Sequence, residues 1–164
     1  MITGYYEDIE LGQKFRSGGR TITEAYVLQF AMLSGDWHPL HTDFEYSRQG
    51  PFGAPIAHGM LTLAVTTGLM TLSPESIQAF YGMDSVRFLR PVSFGDTIMV
   101  ESEIVDRKPL KGPSGIIGVK VDVINQHKQI VLSMLMKFLV RSREHGTLAA
   151  QPNAQAVSAG VESP

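Results

Sequence analysis

Four side chains that can carry or move a proton lie close together in the segment Ser34–Asp43, SGDWHPLHTD. Asp36, His38, His41 and Asp43 fall within eight residues, although the whole chain has only five histidines. Such a cluster suits three roles: a structured polar turn, a metal site, or a pair for general acid–base chemistry. The segment by itself leaves all three open.

The turn and the metal site each have some support in the local pattern. Asp between glycine and proline is common in turns, and Asp43 ahead of FEYS can cap a short helix. Aspartate oxygens and histidine nitrogens also bind metals. However, Pro39 prevents the regular helix that would put His38 and His41 on one face, and no second His or Glu cluster completes a coordination shell. The metal site is therefore the weaker interpretation, and we expect none.

The acid–base interpretation gains from a second motif, AHGML, at residues 57–61. An Asp and a His that share a water can move its protons without a metal. AHGML begins an apolar helix, so the Gly59 N–H lies at a helix N-terminus, where unpaired donors and the helix dipole can polarise a thioester or ester carbonyl. Glycine also lets that carbonyl come close to the backbone. For His58, satisfaction by nearby backbone is the simpler interpretation.

These residues require elements that position them. The first are a strand or short hairpin at 14–23 and a helix at 24–34, capped by Thr21 or Thr23 and ended by Gly35. A long segment, 36–55, follows, with one helical turn at 44–48. The next helix, at about 58–72, lies in a stretch without charge between Arg48 and Glu75. Its length and flanking prolines favour a helix buried on all sides in a soluble core over a membrane span.

The second half of the chain changes to the alternating period of β-strands. Strands are predicted in the segments DSVRFLRPV, TIMVESEIVD, GIIGVKVDVIN and QIVLSMLMKFLVR, the last of them central because it is apolar on both faces. The resulting fold class is α+β: a curved antiparallel sheet of the hot-dog type wrapped around one apolar helix. We expect a single domain at 1–143. The Ala-, Pro- and Ser-rich segment 144–164 is predicted to be a mobile tail.

Composition excludes several classes of function. The net charge is −2 and basic residues are scattered, so no nucleic acid partner is expected. The chain has no cysteine, which removes disulfides, thiolate nucleophiles and cysteine-ligated metals. No secretory or membrane segment is recognised, and a cytoplasmic location is the default expectation.

Three motifs in order, SGDWHPLHTD, FGAPIAHGML and VRFLRPVSFGDTI, resemble the MaoC-like hydratases, which include the R-specific enoyl-CoA hydratases. The resemblance covers roughly residues 8–140. It implies the hot-dog fold, an acyl thioester of coenzyme A or acyl carrier protein as substrate, and a homodimer or higher homo-oligomer. No cofactor is implied, because coenzyme A belongs to the substrate.

The resemblance also assigns roles to residues. Asp36 and His41 correspond to the catalytic pair, with Asp36 acting at the substrate carbon and His41 orienting the water. The substrate-binding set comprises Gly59, which holds the thioester carbonyl, together with Thr67, His58 and His38. Thr67 stands where some members have a serine that contacts the catalytic Asp, and His38 stands where many have Asn. Arg90, Arg107, Lys108 and Lys111 are candidates for contact with coenzyme A phosphates.

The function predicted from these residues is reversible hydration of a 2-enoyl thioester to a 3-hydroxyacyl thioester. Two alternatives keep the fold and the thioester. One is a hot-dog acyl-CoA thioesterase, and the other is a non-catalytic acyl-thioester-binding subunit. Pairing of Asp36 with His41 favours the hydratase.

Overall fold

The computed structural model describes residues 2–143, which form one antiparallel sheet with helices packed against it. In chain order the elements are a 3₁₀ turn at Tyr6–Asp8, β1 Lys14–Arg16, β2 Arg20–Thr21, α1 Glu24–Ser34, α2 Pro39–Thr42, α3 Phe44–Arg48, α4 Gly59–Leu69, β3 Ile77–Phe88, β4 Thr97–Pro109, β5 Ser114–Ile124 and β6 Ile130–Arg141. The segment 144–164, predicted to be a mobile tail, lies outside the described residues.

The sheet follows the order β1-β4-β5-β6-β3, and all its neighbouring strands run antiparallel. The predicted alternation is confirmed in β4, where every second position is buried: Ile98, Val100, Ser102 and Ile104. Because β6 lies between β5 and β3, its prediction as an internal strand is also confirmed. The described residues therefore belong to the α+β class, with helices and one antiparallel sheet.

Strand β3 starts seven residues earlier than the predicted strand at Asp84, because its alternation is interrupted. Its pairing with β6 shifts register at three places, between Ile77 and Ala79, between Phe80 and Gly82, and between Asp84 and Arg87. Each shift displaces the side-chain period by a residue, so no continuous two-residue pattern marks the first half of the strand.

The segment 14–23, predicted to be a strand or a short hairpin, does contain strands, but the hairpin alternative is wrong. Strand β1 pairs with Glu101–Glu103 of β4, and β2 pairs further along the same strand, at Thr97 and Ile98. The two short strands therefore lie along one partner instead of pairing with each other. Ser17–Gly19 forms the break between them, and the Ser17 hydroxyl accepts the Val100 N–H at 2.8 Å.

Helix α4 packs on the sheet through Leu61 and Leu63, which belong to the main core cluster. It ends at Leu69, three residues before the predicted end. The expectation of burial on all sides is wrong for a single chain, because Met60, Ala64, Thr67 and Gly68 are exposed. These four positions recur at helical spacing, so α4 has an uncharged face that the described chain does not cover.

Helices α1 and α3 begin where the sequence predicts a cap. The Thr23 hydroxyl accepts the Tyr26 N–H at the start of α1, and Gly35 ends the helix in the left-handed region at φ 77°. Asp43 caps α3 as predicted, accepting the N–H groups of Glu45 and Tyr46. Within residues 2–143, no helix is long and apolar enough to cross a membrane.

Candidate active site

The segment between α1 and α3 is shaped by His38 and Pro39. His38 precedes α2, and its Nδ1 accepts the Leu40 N–H at 3.1 Å, while Pro39 occupies the first helical position, where no N–H is needed. The sequence did not predict α2, because Pro39 was taken only as a break between the two histidines. The sequence feature that indicates α2 is a hydrogen-bond acceptor in the side chain of the residue before Pro39.

Asp36 is held in place through its backbone and one carboxylate oxygen. Its N–H donates to Ser34 Oγ at 3.2 Å, and its Oδ1 accepts the His38 N–H at 3.2 Å. The Asp36 side chain is about half exposed, with a relative accessibility of 51%. The second oxygen, Oδ2, is therefore left to face the neighbouring rings and any ligand.

His41 has a defined tautomer. Its Nδ1 lies 2.7 Å from the Ile56 carbonyl oxygen, and because a carbonyl can only accept, Nδ1 carries the proton. The lone pair of the neutral ring therefore lies on Nε2. Burial lowers the pKa of His41, and the nearby His58 and His38 lower it further, against opposing contributions from the Ile56 carbonyl and Asp36. Neutral His41, a proton acceptor, is thus favoured near pH 7.

His58 lies beneath this pair. The ring is 2% exposed, and its Nε2–H donates to the Asp36 carbonyl oxygen at 2.9 Å. The ring also stacks on His41, with centroids 3.9 Å apart and planes tilted by 30°. The predicted satisfaction by backbone is therefore correct for Nε2. It does not hold for Nδ1, which has no hydrogen-bond partner among the described residues.

Asp36, His41 and His58 come together so that one ligand atom of each lies within 4.8 Å of the others. No direct hydrogen bond joins the Asp36 and His41 side chains. Two hydrogen bonds of about 2.8 Å that meet at a tetrahedral oxygen span roughly 4.5 Å, so a single water fits between the carboxylate and the ring. The arrangement is suited to sharing and moving the protons of a water.

A metal ion fits the same three residues poorly. Metal–nitrogen bonds of about 2.1 Å lie near the plane of an imidazole. The His41 and His58 rings are stacked, so their planes do not converge within that reach, and an ion bound to both would lie well outside at least one plane. Coordination by both histidines would therefore require one of the stacked rings to rotate. The stack favours acid–base chemistry over a metal centre.

Helix α4 presents free backbone donors beside this cluster. Side chains cap α1, α2 and α3, whereas His58, at the same position before α4, makes no such bond. The first N–H groups of a helix have no intrahelical acceptor, so those of Gly59 and its neighbours remain available to a ligand. A Cβ built on Gly59 would lie 2.9 Å from Phe88 Cε1. The glycine is therefore required by packing as well as by access to its N–H.

A pocket of about 470 Å³ opens at this point, and both His41 and Gly59 line it. Its wall is mostly apolar, with Phe52, Ile56, Met60, Phe88, Leu89, Val92 and Val131 among the lining residues. Arg90 also lines the pocket, and its guanidinium donates to the Ile130 carbonyl oxygen at 2.8 Å. An apolar pocket with one proton acceptor and one set of backbone donors suits an acyl group with a polar carbonyl.

The remaining predicted residues lie elsewhere. Thr67 is on the exposed face of α4, where its hydroxyl donates to the Ala64 carbonyl oxygen at 2.7 Å, and the structure does not bring it to Asp36. Arg107 is held by Tyr6, whose carbonyl oxygen accepts from its guanidinium at 2.8 Å. Phe88 and Ile56 were not predicted as site residues. Nothing in the local sequence marks them, since their roles depend on contacts across the fold.

Comparison with known proteins shows which family this chain matches. The family model described as MaoC like domain matches residues 8–125. Protein MaoC of Klebsiella aerogenes is 37% identical over 97 residues, which cover 58% of this chain and 29% of that protein. The chain thus spans less than a third of that relative. The (R)-specific enoyl-CoA hydratase of Rhodospirillum rubrum is 33% identical over 111 residues, covering 68% of this chain and 76% of that protein.

Solved structures resemble the chain over most of its length. The monoamine oxidase regulatory protein of Archaeoglobus fulgius superposes with a TM-score of 0.81 at 38% identity, covering 87% of this chain and 97% of that chain. Rv0216 of Mycobacterium tuberculosis, described as a double hot-dog fold, superposes with a TM-score of 0.75 at 23% identity, covering 98% of this chain and 53% of that one. The predicted hot-dog fold is confirmed.

Proposed function

The chain belongs to the MaoC-like domain family, and from this membership and the geometry of its pocket we propose that it is a hydro-lyase. The reaction is the reversible addition of water across the 2,3 double bond of an enoyl thioester, giving a 3-hydroxyacyl thioester. The observation that carries the proposal is that His41 and the uncapped start of α4 line one apolar pocket, with Asp36 beside them.

The substrate enters with its thioester carbonyl oxygen accepting the Gly59 N–H. This bond strengthens as the oxygen gains enolate charge, since a helix N-terminus stabilises negative charge. The apolar wall, including Phe52 and Val131, surrounds the acyl group. Arg90, at the same pocket, is the residue best placed to meet the coenzyme A portion of the substrate.

The bound water lies between Asp36 and His41. One of its O–H groups donates to the free Nε2 of His41, and the other donates to Asp36 Oδ2. The water oxygen attacks C3, Asp36 takes one proton, and the electron pair of the double bond moves toward the carbonyl. Asp36 then returns the proton to C2, so the atoms of one water are all accounted for. Because Asp36 and His41 lie on one side of the substrate, the hydroxyl group and the proton add to the same face, and the addition is syn.

The test is turnover of crotonyl-CoA. We expect loss of the enoyl-thioester absorbance without release of free thiol, and a 3-hydroxybutyryl product of R configuration on chiral analysis. Release of thiol, detected with a thiol reagent, would indicate a thioesterase instead. Binding without turnover over short, long and branched enoyl thioesters would indicate a non-catalytic acyl-thioester-binding subunit.

We also propose that two copies associate over the exposed face of α4. This face carries no charge, and Leu33 of α1, which is 85% exposed, lies with Gly68 at a groove between the two helices. Exposed apolar surface of this kind commonly marks a protein–protein contact. A homodimer that covers the face would restore the apolar surroundings predicted for α4.

A further inference from the structure

One buried ring touches both members of the proposed catalytic pair. Through Nε2–H, His58 donates to the Asp36 carbonyl oxygen at 2.9 Å, and through its face it stacks on His41 at 3.9 Å. It also precedes Gly59 directly, at the start of α4. A single side chain thereby joins the water-holding groups to the helix that presents the carbonyl-binding N–H.

The burial of His58 indicates that its position serves more than folding. The ring is 2% exposed and packs against Phe30 at a centroid distance of 5.0 Å. Its Nδ1 is buried without a partner among the described residues, and an unpaired buried polar atom carries a free-energy cost. An apolar ring of similar shape would avoid that cost. What it would lose is the donor to Asp36.

We infer that His58 is a positioning residue: its Nε2–H fixes the backbone of Asp36, and its ring holds and covers the imidazole of His41. The hydrogen bond sets where the Asp36 carboxylate stands relative to the water. The stack keeps His41 turned with Nδ1 toward the Ile56 carbonyl and Nε2 toward the pocket. This role replaces the substrate contact predicted for His58, since the ring does not line the pocket.

Three substitutions separate the two contacts. His58→Gln keeps a donor at about the reach of Nε2 but removes the ring. His58→Phe keeps a ring over His41 but removes the donor. His58→Asn has neither the ring nor the reach. Because Gln and Asn differ by one methylene, their comparison still decides the role of the donor if the Phe variant does not fold.

The first readout is turnover of the full chain, and it rests on the proposed function. We expect kcat within about threefold of wild type for Gln, because the Ile56 carbonyl still holds the His41 ring when the stack is lost. For Phe and Asn we expect a loss of roughly 10- to 100-fold with KM little changed, because misplacing a catalytic group by about 1 Å costs this much. Wild-type kcat in the Phe and Asn variants would overturn the inference, as would equal losses in Gln and Phe. If wild type releases thiol instead, the same ratios are measured on that reaction.

The second readout needs no turnover, so it separates failure of this inference from failure of the proposed function. The groups that face His41 are Asp36, His38, His58 and the Ile56 carbonyl. Burial is the main cause that lowers the pKa of His41. NMR titration of the His41 ring should therefore give a low midpoint in wild type and the Phe variant, and a higher one in Asn. Identical midpoints in all three proteins would contradict the covering role.

Discussion

At the scale of single residues, the proposed chemistry depends on which nitrogen of His41 is free. The Ile56 carbonyl accepts from Nδ1, so Nε2 is the atom that can accept from a water. The Asp36 carboxylate is oriented through one of its oxygens. Oδ1 accepts the His38 N–H, which leaves Oδ2 available as an acceptor. In the proposed mechanism the two residues can therefore share a water without competing for each other's protons.

The lowered pKa of His41 predicts the acid limb of the pH profile. The active form is neutral, and a pKa below the ordinary value of 6.5 means that this form persists to pH values below 6.5. We therefore expect kcat/KM for crotonyl-CoA to fall only as the pH drops below that value, since kcat/KM reports the free enzyme. An acid limb at or above 6.5, assigned to His41 by NMR, would contradict the predicted environment.

His38 offers a second prediction, because its Nδ1 caps α2. His38→Asn keeps a side-chain acceptor at this position and should leave stability and turnover near wild type. His38→Ala removes the cap, and the expected loss in the free energy of unfolding is about 1 kcal/mol. Urea unfolding of the two variants measures the difference. Equal stability of Asn and Ala would show that the cap contributes nothing.

At the scale of elements, the start of α4 combines a structural and a chemical requirement at Gly59. A methyl group there meets the Phe88 ring, so Gly59→Ala should lower the free energy of unfolding by about 1–3 kcal/mol and reduce kcat/KM. In the double variant with Phe88→Leu, stability should recover more than turnover, because the methyl group still obstructs the carbonyl.

The matched control for Gly59→Ala is Gly68→Ala on the same helix, where an added Cβ meets nothing within 4 Å in the single chain. Because Gly68 lies in the proposed contact between copies, both variants are compared in the Leu33→Glu background. Gly68→Ala should stabilise the protein slightly, since alanine is the better helix former. Gly59→Ala with wild-type stability and turnover would remove both roles assigned to the glycine.

The helices and strands were largely predictable from local patterns, and the exceptions have local causes. Thr23, Gly35 and Asp43 mark helix ends by their own side-chain or backbone preferences, and the structure has each of them in that place. The first part of β3, before Asp84, was not predicted because its bulges break the two-residue period. The pairing of β1 and β2 with β4 depends on distant residues and has no local signal.

The site was predictable in part. Asp36, His41 and Gly59 carry a recognisable spacing, and the structure brings them to one place. The stack of His58 on His41 and the closure of Gly59 by Phe88 arise from contacts between elements that lie far apart in sequence. Such contacts cannot be inferred from the spacing of residues in the sequence, so only the three-dimensional structure reveals them.

At the scale of the whole molecule, we propose that residues 1–143 form one domain and that two copies associate over the uncharged face of α4. Light scattering during size-exclusion chromatography should give twice the chain mass for wild type. Leu33→Glu places a charge in the proposed contact and should give the mass of one chain. Leu11→Glu, at a residue that is 61% exposed on a turn and does not line the groove of Leu33 and Gly68, is the control and should remain dimeric. A monomeric wild type would contradict the proposal.

The central claim is that Asp36 moves the proton of a water shared with His41, and one comparison tests it most directly. Hydration of crotonyl-CoA is measured for Asp36→Asn, which keeps the acceptor for the His38 N–H but cannot carry the proton. Asp43→Asn, a change of the same kind at the cap of α3, is its control, because Asn caps a helix as well as Asp does. We expect kcat to fall by roughly 10²–10⁴ for Asp36→Asn and to stay near wild type for Asp43→Asn. Unchanged hydration by Asp36→Asn would contradict the mechanism.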